Sequence, residues 1–197
     1  WMGFMEDEFG WGKVKGALSF GVLALIMGLP TILFYQYGYF DEYDYWAGTV
    51  SLVVFALLEM ILFTWVFGME NGWTELNRGA DIRIPIGYKW IMKYITPVLL
   101  LLVLLSALIT PEGNNWTAAF ASITNGEGWT LDPSSLISKL THDDLKLLRF
   151  SDPEKSEFYD KKILFSTLAR IQMLVLFMFI AVLVWYSGIK RKSISHE

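Results

Sequence analysis

Four long apolar runs constrain this chain more than any other feature of its sequence. They cover residues 17–35, 46–68, 90–109 and 164–189 and contain few charged side chains. A helix needs roughly 20 mostly apolar residues to cross the hydrocarbon core of a bilayer, and each run has about that length. Each run is therefore predicted to form a membrane-spanning helix.

Composition argues against a soluble protein that buries these runs in its own core. Hydrophobic residues make up 54% of the 197 residues, and the mean hydropathy is +0.40. Too little polar sequence remains to enclose four apolar helices, whereas a lipid bilayer would surround them. We therefore predict an all-α polytopic membrane protein with four transmembrane helices.

Other residue types exclude several classes of function. The chain has no cysteine, and its only histidines are His142 and His196, so neither a disulfide framework nor a thiolate metal site is available. No basic stripe indicates nucleic acid, and the net charge of -4 says little because a membrane divides it. We expect no metal, no cofactor and no nucleic-acid partner for this chain.

The basic residues of the short connections predict the orientation, because Lys and Arg mark cytoplasmic loops. They lie before the first run, between the second and third, and after the fourth: Lys13, Lys15, Arg78, Arg83, Lys89, Lys190, Arg191 and Lys192. Residues 37–45 contain acidic but no basic side chains. We therefore expect this short connection and the long segment 110–163 to lie outside, with a cytoplasmic C-terminus.

These observations divide the chain into nine parts. The start at Trp1 rather than at Met indicates a truncated chain, beginning near the end of an earlier helix. The predicted parts are the end of a preceding helix with a cytoplasmic loop (1–12), a span (13–36), a short outer loop (37–45), a span (46–69), a cytoplasmic loop (70–86), a span (87–109), a long outer loop (110–163), a span (164–189) and a cytoplasmic tail (190–197).

The long outer loop is predicted to contain a short amphipathic helix. Asp132 and Pro133 form a plausible helix start, and apolar residues then recur at about helical spacing. They are Leu136, Leu140, Leu147, Leu148 and Phe150. This helix would lie on the outer surface or cover the outer face as a partial lid.

Two prolines fall inside the predicted spans, Pro30 in the first and Pro97 in the third. Each removes a backbone hydrogen-bond donor from its helix. Both helices are therefore predicted to bend at these points, as features of packing.

Carboxylates at the ends and in the middle of the spans are the candidate functional groups. Asp41 and Asp44 precede the second run and are spaced i, i+3, which places them on one helix face. They form either a solvated acidic loop or one half of a gate, in which a carboxylate pairs with a cation from another helix across a solute path.

Glu59 lies near the middle of the second run, where a bare anion cannot face lipid. We expect it to form a structural hydrogen bond with a helix outside this chain, with proton coupling as the alternative. Glu6, Asp7 and Glu8 form an acidic cluster near the end of the first helical segment. Because the C-terminal end of a helix disfavours anions, we expect a basic partner from elsewhere.

Several segments resemble prokaryotic neurotransmitter:sodium symporters of the LeuT type. The tenth helix of that family is similar to FDEYDYWAG at residues 40–48 and to LLEMILFTWVFG shortly after it. The following cytoplasmic loop and eleventh helix are similar to WTELNRGADIRIP and KYITPVLLL, and the end of the eighth helix is similar to GFMEDEFGW. The fourth run, with Arg170 near its start, resembles the twelfth helix, whereas residues 110–163 are longer than the family's connection.

The resemblance implies the last part of a LeuT-type twelve-helix fold in a multi-pass protein of the cell membrane, here a bacterial inner membrane. It implies a sodium-coupled symporter for amino acids or related small amines, working by alternating access with Na⁺ bound in the full-length protein. Asp44 would be the acidic member of the extracellular gate, with Phe40 lining the vestibule and Asp41 beside them. Asp7 would be the acidic member of the cytoplasmic gate. The arginine partners, the substrate site and the sodium sites would lie in the remaining N-terminal helices.

Two other classes of function are weighed against the transporter. A free-standing four-helix membrane scaffold or interaction protein would leave Glu59 and the acidic clusters without partners, at a high cost in a membrane. A membrane enzyme lacks support because no nucleophile, metal cluster or third catalytic group accompanies Asp41 and Asp44. We therefore predict that the chain is not an enzyme.

Overall fold

A computed structural model describes residues 1–82 and 84–194, with side chains as far as Lys190. Arg83, His196 and the side chains of Arg191 and Lys192 lie outside the described residues, so the structure does not place those predicted cytoplasmic charges. The helices are α1 (Met2–Phe9), α2 (Lys13–Leu33), α3 (Tyr39–Val66), α4 (Met69–Asn77), α5 (Gly87–Leu108), α6 (Trp116–Thr124), α7 (Leu136–Thr141), α8 (Asp143–Ser151) and α9 (Ser156–Ile194).

Four of these helices, α2, α3, α5 and α9, are long and apolar enough to cross a membrane. Only 6% of the residues in each apolar window are buried within the chain, so most of their side chains must be covered by lipid or by other protein. The part of the chain that the structure describes contains no β-strand, only a single bridge between Pro111 and Leu131. The predicted all-α membrane protein with four spanning helices is confirmed.

Two spanning helices begin earlier than the predicted spans. α3 begins at Tyr39, so most of the predicted outer loop 37–45 is helical, and α9 begins at Ser156 rather than at 164. Acidic side chains in the first turn of α3 stabilise this extension, because the N-terminal end of a helix carries partial positive charge. With 28 residues, α3 is about 42 Å long and exceeds the roughly 30 Å hydrocarbon core.

The long connection, residues 110–163, contains three short α-helices rather than one. The predicted amphipathic helix is divided into α7 and α8 by His142, whose backbone is left-handed at φ 58°. The helix starts after Ser135, whose hydroxyl accepts a bond from the Ser138 N–H at 3.2 Å, so the predicted start at Asp132 is wrong. α6 was not predicted, and Asn115 caps it by accepting from the Ala118 N–H at 3.1 Å.

Asp132 organises a turn instead of starting a helix. Its carboxylate accepts bonds from the Ser134 hydroxyl at 2.6 Å, the Ser134 N–H at 2.8 Å and the Gly113 N–H at 2.9 Å. These bonds favour the charged form, with those to Ser134 contributing most, and lower the pKa of Asp132 below its ordinary value. This carboxylate therefore connects two distant parts of the long connection.

The chain forms two compact units: Trp1–Ala47 together with Asp160–Glu197, and Gly48–Tyr159. In the first unit the aromatic rings of Phe34 and Phe165 stack with centroids 4.1 Å apart. In the second unit α5 packs along α3, and the ring of Phe63 covers Gly72 so closely that an added Cβ would lie 2.5 Å from it. The stacked rings of Phe34 and Phe165 thus join segments that are distant in sequence, whereas Phe63 packs α3 against the helix that follows it.

Both prolines lie inside their helices, and in each case a distant side chain occupies the backbone carbonyl that the proline leaves without its usual donor. An N–H at position 30 would bond the carbonyl of Ile26, which instead accepts from the Gln172 amide at 2.8 Å. Pro97 follows the π-helical stretch Ile91–Ile95. With the i to i−4 bonding of an α-helix, an N–H at position 97 would bond the carbonyl of Lys93, which accepts from the Trp65 indole at 3.1 Å. Neighbouring helices thus replace the lost hydrogen bonds, as a low-dielectric environment requires.

Gly38, immediately before α3, is expected to be destabilised by any side chain. Its φ is 76°, and an added Cβ would lie 3.0 Å from the Cε of Lys162. Gly38→Ala should therefore lower the free energy of unfolding by about 1–2 kcal/mol, combining left-handed strain with a tight contact. Thermal unfolding in mild detergent would measure this.

Gly126→Ala is the matched control, because Gly126 has a similar φ of 79° but open space around it. An equal loss of stability in both variants would show that the contact with Lys162 contributes nothing. A Gly38→Ala variant as stable as the parent protein would contradict the prediction altogether.

Candidate functional site

The acidic turn, residues 41–44 at the start of α3, contains the carboxylates predicted to form a gate. Asp41 and Asp44 are exposed, and both follow Phe40, whose side chain is also exposed. Asp41 and Asp44 lie in successive turns of the helix and so share a face, as their spacing predicts. The structure thus brings Phe40, Asp41 and Asp44 together on one accessible surface.

Glu42 behaves differently from its acidic neighbours because it is bound within the chain. Its carboxylate accepts from the Arg170 Nε at 2.7 Å and the Arg170 Nη2 at 3.1 Å, a two-point ion pair. The Trp46 indole donates to the same carboxylate at 2.7 Å, and the Arg170 guanidinium lies 5.2 Å from the centre of the Trp46 ring. The side chains of Arg170 and Glu42 are only 13% and 14% exposed.

We call Glu42, Trp46 and Arg170 the acidic-turn clasp. Sequence reasoning missed it, although two signals were available. An arginine within an otherwise apolar run requires a partner, and Glu42 and Trp46 are spaced i, i+4. The partner could not be identified from sequence, because Glu42 and Arg170 are 128 residues apart.

A second contact joins the same two helices close to the clasp. The Tyr39 hydroxyl donates to the Gln172 amide oxygen, while the Gln172 amide nitrogen donates to the Ile26 carbonyl. Gln172 thus links the first turn of α3 to the middle of α2. The start of α3 is fixed by α9 at two points, Glu42 and Tyr39.

Asp7 lies in the last turn of α1, which ends at Gly10 in a left-handed conformation. Asp7 is exposed, and within the described residues its carboxylate meets no hydrogen-bond donor. Lys190 approaches this cluster but donates to the backbone carbonyl of Glu8 at 3.3 Å, not to a carboxylate. The basic partner expected for Asp7 is therefore absent from the described part of the chain.

Glu59 lies in the α-helical stretch Ser51–Ile61 of α3 and is exposed. No donor among the residues that the structure describes reaches its carboxylate. An ionisable group on the surface of a spanning helix marks a face that lipid cannot cover at low cost.

Comparison with known proteins identifies the family. A model of the sodium:neurotransmitter symporter family matches residues 5–149, about three quarters of the chain. The match includes α6, α7 and much of α8, although the sequence reading had set residues 110–163 apart from the family. It ends before α9, whose assignment as the family's twelfth helix stays a prediction.

Curated relatives have names that agree with this family. A sodium-dependent nutrient amino acid transporter of Drosophila melanogaster is 24% identical over 127 residues, which is 64% of this chain and 20% of the relative. An uncharacterised sodium-dependent transporter of Methanocaldococcus jannaschii is 28% identical over 96 residues, 48% of this chain and 19% of the relative. The chain thus spans about a fifth of the length of these relatives.

The family match and the names of the relatives confirm the predicted resemblance, and those names describe sodium-dependent transporters. The match covers well over half of the chain. The four helices that can span a membrane, the acidic turn and Asp7 are therefore parts of a multi-pass membrane protein. This chain belongs to the sodium:neurotransmitter symporter family.

Proposed function

We propose that this chain is the C-terminal part of a sodium-coupled symporter for amino acids or related small amines that works by alternating access. The acidic turn is the observation that carries the proposal: Asp41 and Asp44 are exposed beside Phe40, while Glu42 is held by Arg170. Exposed carboxylates at the mouth of a spanning helix suit a pair that closes a solute path when it forms. The amino acid transporter name of the Drosophila relative supports the substrate class.

In this proposal the two gates lie at opposite faces of the membrane. Asp44, with Phe40 and Asp41, belongs to the extracellular gate, and Asp7 belongs to the cytoplasmic gate. The exposure of Asp7 without a donor from the described residues supports a cation supplied by another part of the full-length protein. The substrate and the sodium ions bind the remaining N-terminal helices, where broken helices offer backbone groups near the middle of the bilayer.

The basic residues support an orientation of the chain across the membrane. Lys13 and Lys15 lie in the first turn of α2, Lys89 lies in the first turn of α5, and Arg78 directly follows α4. We place these helix ends and the C-terminal tail in the cytoplasm. The protein would lie in a bacterial inner membrane, with the long connection outside.

Glu59 supports the presence of further helices against α3. An exposed carboxylate near the middle of a 28-residue spanning helix is costly in lipid, so a polar group of another helix should cover it. We assign Glu59 to a hydrogen bond between helices, which holds α3 against the N-terminal part of the transporter.

Uptake by the full-length protein tests the proposed function. Reconstituted into liposomes, it should accumulate radiolabelled amino acids several-fold more with an inward sodium gradient than with choline in place of sodium. The reason is that binding of both solutes must precede the conformational change, so the gradient of one drives the other. A sodium ionophore is the control, because it should abolish accumulation.

Equal accumulation in sodium and choline would contradict sodium coupling. No accumulation of any amino acid or small amine under either condition would favour a scaffold that transports nothing.

A further inference from the structure

We infer that Arg170 is a positioning residue of the extracellular gate: it withdraws Glu42 from the solute path and sets which carboxylates of the acidic turn face it. The inference rests on the proposed gate role of Asp44, and it adds a residue from α9 that does not itself contact the solute.

The acidic turn offers three carboxylates within four residues, Asp41, Glu42 and Asp44. A single arginine gate partner could pair with any of them, because each can accept a two-point ion pair. Glu42 has the longest side chain of the three and would reach furthest. The gate can form one defined ion pair only if the other carboxylates are kept away from the arginine.

The clasp removes Glu42 from this competition. Both carboxylate oxygens accept from Arg170, and one also accepts from the Trp46 indole. The planar guanidinium fixes the direction of the carboxylate as well as its charge, which a lysine ammonium would not do. With 14% of its side chain exposed, Glu42 adds little negative charge to the mouth of α3.

The clasp also fixes the rotation of α3 about its axis. Tyr39, Glu42, Tyr43 and Trp46 follow the spacing i, i+3, i+4, i+7, which is one face of a helix. This face is joined to α9 through the Glu42–Arg170 and Tyr39–Gln172 contacts.

The opposite face carries Phe40 and Asp44. Glu42 and Asp44 are two residues apart, which is about 200° at the roughly 100° per residue of an α-helix. Asp44 begins the π-helical stretch Asp44–Val50, whose wider turn still leaves the two side chains on roughly opposite sides of α3. When Glu42 is held against α9, Asp44 must therefore point away from α9. Phe40, two residues before Glu42, also lies on the far side and is exposed. Asp41 is exposed as well, but it is only about 100° from Glu42, and its carboxylate lies near Lys162 of α9 beside Gly38.

The test replaces Arg170 in the full-length transporter and measures uptake per folded molecule at the membrane surface. Arg170→Met should lower the maximal uptake rate about ten-fold, the scale of one lost contact to a charged group. Arg170→Lys should be intermediate, because it keeps the charge but loses the two-point geometry. Adding Glu42→Gln to Arg170→Met should restore most of the rate, since the freed carboxylate is then gone.

Arg78→Met is the matched control. Arg78 also pairs with a glutamate, Glu75, but the pair is solvent-exposed, with side chains 76% and 58% accessible. Exposed pairs contribute little, so uptake should match the parent protein.

A thiol reporter separates positioning from general stability. The chain contains no cysteine, so Phe40→Cys in an otherwise cysteine-free transporter introduces one thiol on the gate face. Its reaction rate with a membrane-impermeant thiol reagent should change several-fold when Arg170→Met is added, because the start of α3 then keeps its Tyr39–Gln172 contact with α9 but loses the Glu42–Arg170 pair.

Three results would overturn the inference. Unchanged uptake and unchanged labelling in Arg170→Met, together with impaired uptake in Asp44→Asn, would reject the positioning role and leave the gate intact. A lower amount of folded protein, with a normal rate per molecule and normal labelling, would make Arg170 merely structural. Normal uptake in both Arg170→Met and Asp44→Asn would reject the proposed gate itself.

Discussion

Asp44→Asn in the full-length transporter is expected to slow sodium-driven uptake by about ten-fold or more, while the protein still inserts into the membrane. A hydrogen bond to a charged group contributes about 1.5–3 kcal/mol, and its loss shifts the balance between open and closed gates by a factor of roughly 10 to 150. Insertion should be unaffected because Asp44 is exposed and lies at the end of α3. Uptake normalised to the amount of transporter in the membrane measures the effect.

Asp7→Asn should slow uptake to a similar extent but bias the transporter in the opposite direction. Without the cytoplasmic pair, the inward-facing state gains population, whereas loss of the extracellular pair favours the outward-facing state. Labelling of single cysteines placed at the two mouths would distinguish these states.

Glu127→Gln is the control for both substitutions, because Glu127 is an exposed carboxylate of the long connection. It should leave uptake and labelling unchanged. Unchanged uptake in Asp44→Asn would reject its gate role, and the same labelling pattern in Asp7→Asn and Asp44→Asn would reject gates at opposite faces.

The spanning helices were predictable from sequence, but their ends were not. Apolar length identifies the part of a helix that lies in hydrocarbon, so it could not show that α3 already begins at Tyr39. Those first residues are polar and aromatic and are stabilised by contacts to α9, which no local pattern reveals. The division of the long connection into α7 and α8 depends on the left-handed backbone of His142, which spacing alone also does not predict.

The candidate site was predictable in part for a similar reason. Both the spacing and the resemblance predict Asp44 and Asp41 as gate residues, because the pattern that they form is local. The assignment of Glu42 to a different role depends on Arg170, 128 residues away. The position of Arg170 in an apolar run is a signal that it needs a partner, but no local pattern shows which carboxylate provides it.

For Pro30 and Pro97 too, the sequence identifies one partner of a contact but not the other. The positions of Pro30 and Pro97 predict that a backbone carbonyl loses its donor, and the structure shows which side chain replaces it. In an apolar environment an unsatisfied carbonyl is costly. Gln172→Leu is therefore expected to lower the free energy of unfolding by about 1–3 kcal/mol.

A double-mutant cycle isolates that contribution. Pro30→Ala restores an N–H that can bond the Ile26 carbonyl, so Gln172→Leu should cost clearly less in the Pro30→Ala background than in the parent protein. Gln172→Leu also removes the bond from Tyr39, and Tyr39→Phe measures that loss separately. Denaturant unfolding of the purified protein in mild detergent would give the four free energies of the cycle.

Trp65→Phe with Pro97→Ala forms an independent cycle in the other compact unit, since the Trp65 indole donates to the Lys93 carbonyl. The cost of Trp65→Phe should likewise shrink once position 97 supplies its own donor. One outcome is that Gln172→Leu and Trp65→Phe each lower the free energy of unfolding by the same amount with and without the proline. In that case, the two side chains do not compensate for the missing N–H groups. If both costs fall, these helices tolerate proline because a distant side chain satisfies the backbone group that each proline leaves without its donor.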